Sequence, residues 1–144
     1  MKSELVVRCL IPAAQETVFR VWTQPEHVQK WWGPRGVTCP MAEIDLRVGG
    51  TYRIANLLPD GKTVWIHGVF EEIDPPHRLT YTWGFGLEDE PAERVTVTFE
   101  PRPEGTEVMV VHENIPDEAA RVGHEKGWYG CLDGLEEYAG AGLG

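Results

Sequence analysis

The chain has 144 residues, room for one ordinary domain and not for two. Its 42% hydrophobic content excludes a disordered chain, and a formal net charge of −10, from 13 Lys+Arg against 23 Asp+Glu, argues against nucleic acid or an anionic membrane surface as partner, since both need a basic face. No apolar run approaches the roughly 18 residues that span a bilayer, and the first eight residues lack a signal-peptide core, so a cytoplasmic protein without membrane insertion is expected.

Residues 4–10 are rich in β-formers and predict a first strand. Pro12 then opens a helix with Val18, Phe19 and Trp22 as its apolar stripe. Thr23-x-x-Glu26 has capping-box spacing before a second short helix, whose apolar face is Val28, Trp31 and Trp32 and whose stop is Gly33-Pro34. From there to about residue 114, roughly six strands are punctuated by Gly49-Gly50, Pro59-Asp60-Gly61, Asp74-Pro75-Pro76 and a turn at 101–105. Asp45-x-Arg47-x-Gly49-Gly50 reads as a braced turn rather than a catalytic motif. Glu88-Asp89-Glu90 reads as a solvated loop.

Alternation exposes the facing of three strands. Leu79, Tyr81, Trp83 and Phe85 share one face, as do Val95, Val97 and Phe99, and as do Val108, Val110 and His112. Residues 62–70 are ambiguous, because Trp65, His67 and Val69 compete with Val64, Ile66 and Phe70 for the inner side.

Residues 117–139 predict the longest helix, with Asp117 as N-cap. His124, Trp128, Cys131, Leu132, Leu135 and Ala139 form its apolar stripe. Gly123, Gly127, Gly130 and Gly134 fall on a narrow line beside it. Each glycine costs about 1 kcal/mol against alanine in a helix. Close packing on the sheet, room for a ligand, or a bend would each offset that. A sheet curling around this helix leaves a cavity for a hydrophobic small-molecule ligand. Its candidate walls are Tyr81, Trp83, Val97, Phe99, Val110 and Trp128, with Cys131 and Leu132 from the helix. His112 and His124 are the candidate polar anchors, joined by Trp65 and His67 if the ambiguous strand turns those residues inward.

Cys9, Cys39 and Cys131 are an odd, scattered set and read as reduced, buried thiols. No ligand spacing indicates zinc, and no glycine-rich nucleotide loop occurs, so neither a metal nor a cofactor is expected.

The order of several segments resembles a known family. They are the run from Val18 to Pro25, Trp31-Trp32-Gly33-Pro34, the run from Asp45 to Arg53, Pro59-Asp60-Gly61, the run from Gly68 to Pro76, Leu79 to Trp83, and Gly127-Trp128 followed by Leu132 and Leu135. Together they resemble the single-domain relatives of the activator of the heat-shock-protein-90 ATPase, within the START-like, SRPBCC or helix-grip superfamily. The resemblance implies one α+β helix-grip domain over residues 1–144, with a curved antiparallel sheet of about six or seven strands around a long C-terminal helix and two short helices near the N-terminus. It implies a hydrophobic cavity, and the leading reading is binding of a lipid-, aromatic- or polyketide-like molecule there. The alternatives are a cyclase- or hydrolase-type enzyme with a histidine base, and a chaperone-interacting module. A sheet face or edge offers a surface for a homodimer.

Overall fold

The computed structural model describes residues 3–33, 36–85 and 93–140. Its elements are β1 (Ser3–Ile11), α1 (Gln15–Thr23), α2 (Pro25–Trp31), β2 (Ala42–Ile44), β3 (Thr51–Leu57), β4 (Thr63–Asp74), β5 (Arg78–Phe85), β6 (Glu93–Arg102), β7 (Gly105–Ile115) and α3 (Glu118–Gly140). The seven strands form one sheet in the order β1-β7-β6-β5-β4-β3-β2. Every neighbouring pair is antiparallel. The sheet curls around α3, which packs chiefly against β1, while α1 and α2 close one end. This is the α+β helix-grip arrangement. The acidic segment Glu88-Asp89-Glu90 and Pro34 lie outside the described residues.

The alternating strands face as their period requires. Leu79, Tyr81 and Trp83 of β5, Val95, Val97 and Phe99 of β6, and Val108, Val110 and His112 of β7 are all buried. Register joins them across strands: Tyr81 lies opposite Val95, Val97 opposite Val110, and Val95 opposite His112. Each fully buried aliphatic or aromatic side chain on this face contributes roughly 1.5–3 kcal/mol.

β4 resolves the ambiguity against two candidates. Ile66, Gly68 and Phe70 are buried, so Trp65 and His67 point to the outer face. There the Arg53 guanidinium covers the Trp65 ring at 4.7 Å. A cation over an aromatic face lets a large ring sit outside without exposing its full apolar area. Trp65 and His67 therefore do not belong to the interior site.

Local details also depart from expectation. Thr23 does not cap α2; it is the last residue of α1, and its hydroxyl donates back to the Phe19 carbonyl at 2.9 Å. Gln24 occupies the cap position without a side-chain bond, and Pro25 at the helix start supplies the preset φ instead. The Asp45–Arg47 turn is structural. Its ion pair at 2.8 Å is exposed, and a Cβ on Gly50 would collide with the Asp45 carbonyl oxygen. Asp117 caps α3, its Oδ1 accepting the Ala120 N–H at 2.8 Å.

The interior of the grip is filled by aromatic rings. Trp22, Trp31, Trp32, Trp83 and Trp128, five of the six tryptophans, form one contiguous cluster with centroids 5.0 to 5.6 Å apart along the chain Trp22–Trp31–Trp32–Trp128–Trp83. Beneath them, between α1, α2 and the sheet, only about 20 Å³ stays open. That is room for about one water molecule.

Candidate functional site

The open space lies at the other end of α3. A cavity of about 440 Å³ sits between the N-terminal half of that helix and the β3–β4 part of the sheet. Trp32 and Val37 form one side, and Leu58, Ile66 and Trp83 form the floor. The helix side is made by Ala120, Gly123, His124, Gly127, Trp128 and Cys131. Pockets of this size suit a small organic molecule, and an apolar lining with few polar groups is the usual composition.

Two glycines create part of this space. A Cβ on Gly123 or Gly127 would meet nothing within 4 Å, whereas one on Gly134 would stand 2.6 Å from the Trp31 carbonyl oxygen. The glycine stripe thus serves two purposes. Its N-terminal members border the cavity, and Gly134 lets α3 and α2 approach closely.

The polar end is a linked set of four side chains. Trp128 Nε1–H donates to His112 Nδ1 at 3.0 Å. His112 Nε2 and His124 Nε2 each lie 2.8 Å from the same oxygen, Glu93 Oε1. The two imidazoles stack with centroids 4.5 Å apart. His112 is 0% exposed and Glu93 8%. Burial by itself would raise the Glu93 carboxyl, but the two imidazole hydrogen bonds outweigh it and hold the group down at about 2. Burial pushes the His112 imidazole below its ordinary value, against the opposing pull of Glu93.

These partners fix the protons. An indole N–H can only donate, so His112 Nδ1 carries a lone pair. Neutral His112 then holds its proton on Nε2 and donates it to the Glu93 carboxylate. The three donor atoms of Glu93, His112 and His124 lie within 4.8 Å of one another, a set that is enough for a His₂Glu metal centre. A metal ligand must offer a lone pair, and His112 Nε2 has none while Trp128 occupies Nδ1. The set fits a hydrogen-bonded network better than a metal site.

The family described as Activator of Hsp90 ATPase homolog 1-like protein matches residues 12–140. The chain belongs to this family. As an Activator of Hsp90 ATPase homolog 1-like protein it shares its fold with solved structures along nearly its whole length. A protein from Chromobacterium violaceum is 28% identical with a TM-score of 0.83, over 94% of this chain and 96% of that one. The AHSA1 protein from Silicibacter pomeroyi is 23% identical with a TM-score of 0.85, over 96% and 99%. An AHSA1-like protein from Aeromonas hydrophila is 23% identical with a TM-score of 0.82, over 96% and 93%. No curated protein gives a significant match. Among the described residues, no helix is long and apolar enough to cross a membrane.

Within this family member the expected site residues separate into groups. Trp83, His124, Trp128 and Cys131 border the cavity. Tyr81 borders only the nearly filled space beneath the tryptophans. Val97, Phe99, Val110 and Leu132 are packed core, at most 1% exposed, and do not border this cavity; the Trp22 ring packs edge-on against Phe99 at 5.8 Å. His112 is enclosed with both nitrogens engaged, so it supports the site from behind and is not an anchor. Glu93 and Asn56 were missed by sequence reasoning. The signal was present, since Glu93 continues the period of Val95, Val97 and Phe99, and Asn56 continues that of Tyr52 and Ile54. The thiols of Cys39 and Cys131 are buried, and burial lifts them to about 11 and about 12, which makes them poor nucleophiles.

Proposed function

We propose that this protein binds a lipophilic small molecule in the cavity under the N-terminal half of α3. The observation that carries this reading is the apolar space of about 440 Å³ bordered by Gly123 and Gly127, two helix positions where a side chain would fit but none is present. Helix-destabilising glycines in the longest helix need a compensating use; close packing explains Gly134, against Trp31, and it does not explain Gly123 or Gly127. The family's fold, which commonly holds hydrophobic ligands, supports the same reading.

Native mass spectrometry of gently purified protein tests it. The wild-type protein should carry a co-purifying small molecule, and Gly127→Leu, which fills the cavity from the helix side, should remain folded and lose it. A ligand retained at full occupancy by folded Gly127→Leu would reject the cavity as its site.

The Glu93–His124 pair favours one second reading, a cyclase- or hydrolase-type enzyme with a general base. A carboxylate-held imidazole at the edge of an apolar cavity is suited to that role. Only His124 qualifies, since His112 has no free nitrogen.

A further inference from the structure

What the cavity would recognise follows from its polar atoms, and this inference rests on the binding role proposed above. Most of those atoms are already engaged. Asn56 Oδ1 accepts the Trp32 indole N–H at 2.9 Å, and its Nδ2 donates to the Ile54 and Val64 carbonyls at 3.2 Å. The Trp128 N–H is committed to His112. The Trp83 N–H is sealed from solvent and has no partner among the described residues, so it is not presented to an occupant.

His124 differs. Its Nε2 faces Glu93, and its Nδ1 has no hydrogen-bond partner among the described residues. An ionised carboxylate only accepts, so neutral His124 keeps its proton on Nε2 and carries a lone pair on Nδ1.

We propose that His124 Nδ1 is the hydrogen-bond acceptor of the cavity, and that the occupant is a neutral aromatic molecule bearing a phenol- or enol-type hydroxyl. The hydroxyl donates to the lone pair. The aromatic ring meets the indole walls of Trp32, Trp83 and Trp128. Neutrality follows from Glu93, whose negative charge stands one hydrogen bond behind His124 and repels a second carboxylate. A fatty acid is therefore disfavoured, although the lining is apolar enough for its chain.

Calorimetric titration of the whole protein with three probes of one ring size tests this: 2-naphthol, 2-methoxynaphthalene and 2-naphthoate. Wild type should bind 2-naphthol about tenfold more tightly than 2-methoxynaphthalene, the worth of one net hydrogen bond. The methyl ether is the more hydrophobic of the two, so lipophilicity alone predicts the opposite order. 2-Naphthoate should bind more weakly than either. His124→Phe keeps a ring stacked on His112 and removes the lone pair, and should bind the two neutral probes alike. Equal affinities in wild type, a preference for the carboxylate, or a hydroxyl preference that survives in His124→Phe would each overturn the proposal. The wild-type comparison decides the matter even where the variant fails to fold. If both neutral probes bind equally and Gly127→Leu abolishes both, the acceptor role falls and the cavity stands. If no probe binds wild type, the cavity reading falls and takes this inference with it.

Discussion

Replacing single glycines of α3 by alanine separates the two uses of the stripe. An alanine at Gly127 or Gly123 meets nothing within 4 Å, so the methyl costs no contact. The substitution removes the backbone freedom of glycine and should stabilise the protein by about 0.5–1 kcal/mol. At Gly134 the same methyl would lie 2.6 Å from the Trp31 carbonyl oxygen, an atom fixed in the last turn of α2. α3 and α2 must then move apart, and overpacking of this kind costs about 1–3 kcal/mol, more than the gain in helix propensity. The assay is equilibrium urea unfolding of the three variants beside wild type, with thermal melting as a check. For a domain of this size, 1 kcal/mol moves the midpoint by about 3 °C. Gly123→Ala and Gly127→Ala should melt above wild type and Gly134→Ala below it. A loss at Gly127→Ala as large as at Gly134→Ala would refute the reasoning, because the whole stripe would then be a packing seam.

Two further expectations concern the polar end. Trp128→Phe strips the partner from the buried Nδ1 of His112, while Trp83→Phe removes an N–H that has no partner among the described residues. The first should destabilise by about 1–3 kcal/mol more than the second in urea melts, and equal losses would show that the Trp128 bond contributes nothing. Acid stability should follow Glu93. Its carboxyl is held at about 2 against an ordinary 4.5, so its contribution is full above pH 4.5 and is lost as pH falls toward 2. The displacement corresponds to about 3 kcal/mol. His112, lowered by burial, adds a loss of the same sign that begins as pH falls below its ordinary 6.5. Glu93→Gln should flatten the lower part of that profile, and an unchanged slope below pH 4.5 would remove Glu93 from the account.

The sheet was legible wherever one face is buried and the other wet, because the apolar period is then unbroken. Leu79-Tyr81-Trp83 and Val95-Val97-Phe99 are of this kind. β4 was not legible, since Trp65 is a large ring on the outer face under Arg53, and composition cannot distinguish a ring covered by a guanidinium from one in the core. β2 has three residues, too few for any period. Of the candidate residues, some border the cavity and others lie in the packed core or on the outer face. His124 and Trp128 were found because they recur on a helical stripe. The location of the open space depended on how five indoles pack, and that is a property of assembled volume rather than of spacing. Gly127 and Gly134 look alike in the sequence, and only the approach of Trp31 separates them. Glu93 was obscured by its neighbours. It follows an acidic run that reads as solvent-facing, although the period of β6 already placed it on the inner side.

The central claim is that a lipophilic molecule occupies the space under the first half of α3. Amide chemical shifts of the ¹⁵N-labelled protein, recorded as 2-methoxynaphthalene is added, test it directly. The amides of Gly123 and Gly127 and the indole N–H groups of Trp32 and Trp128 should move together and saturate, while Gly134 and Gly49 stay in place. Saturating shifts confined to the outer groove around Glu43, Arg53 and His67, or no shift at Gly123 and Gly127, would contradict it.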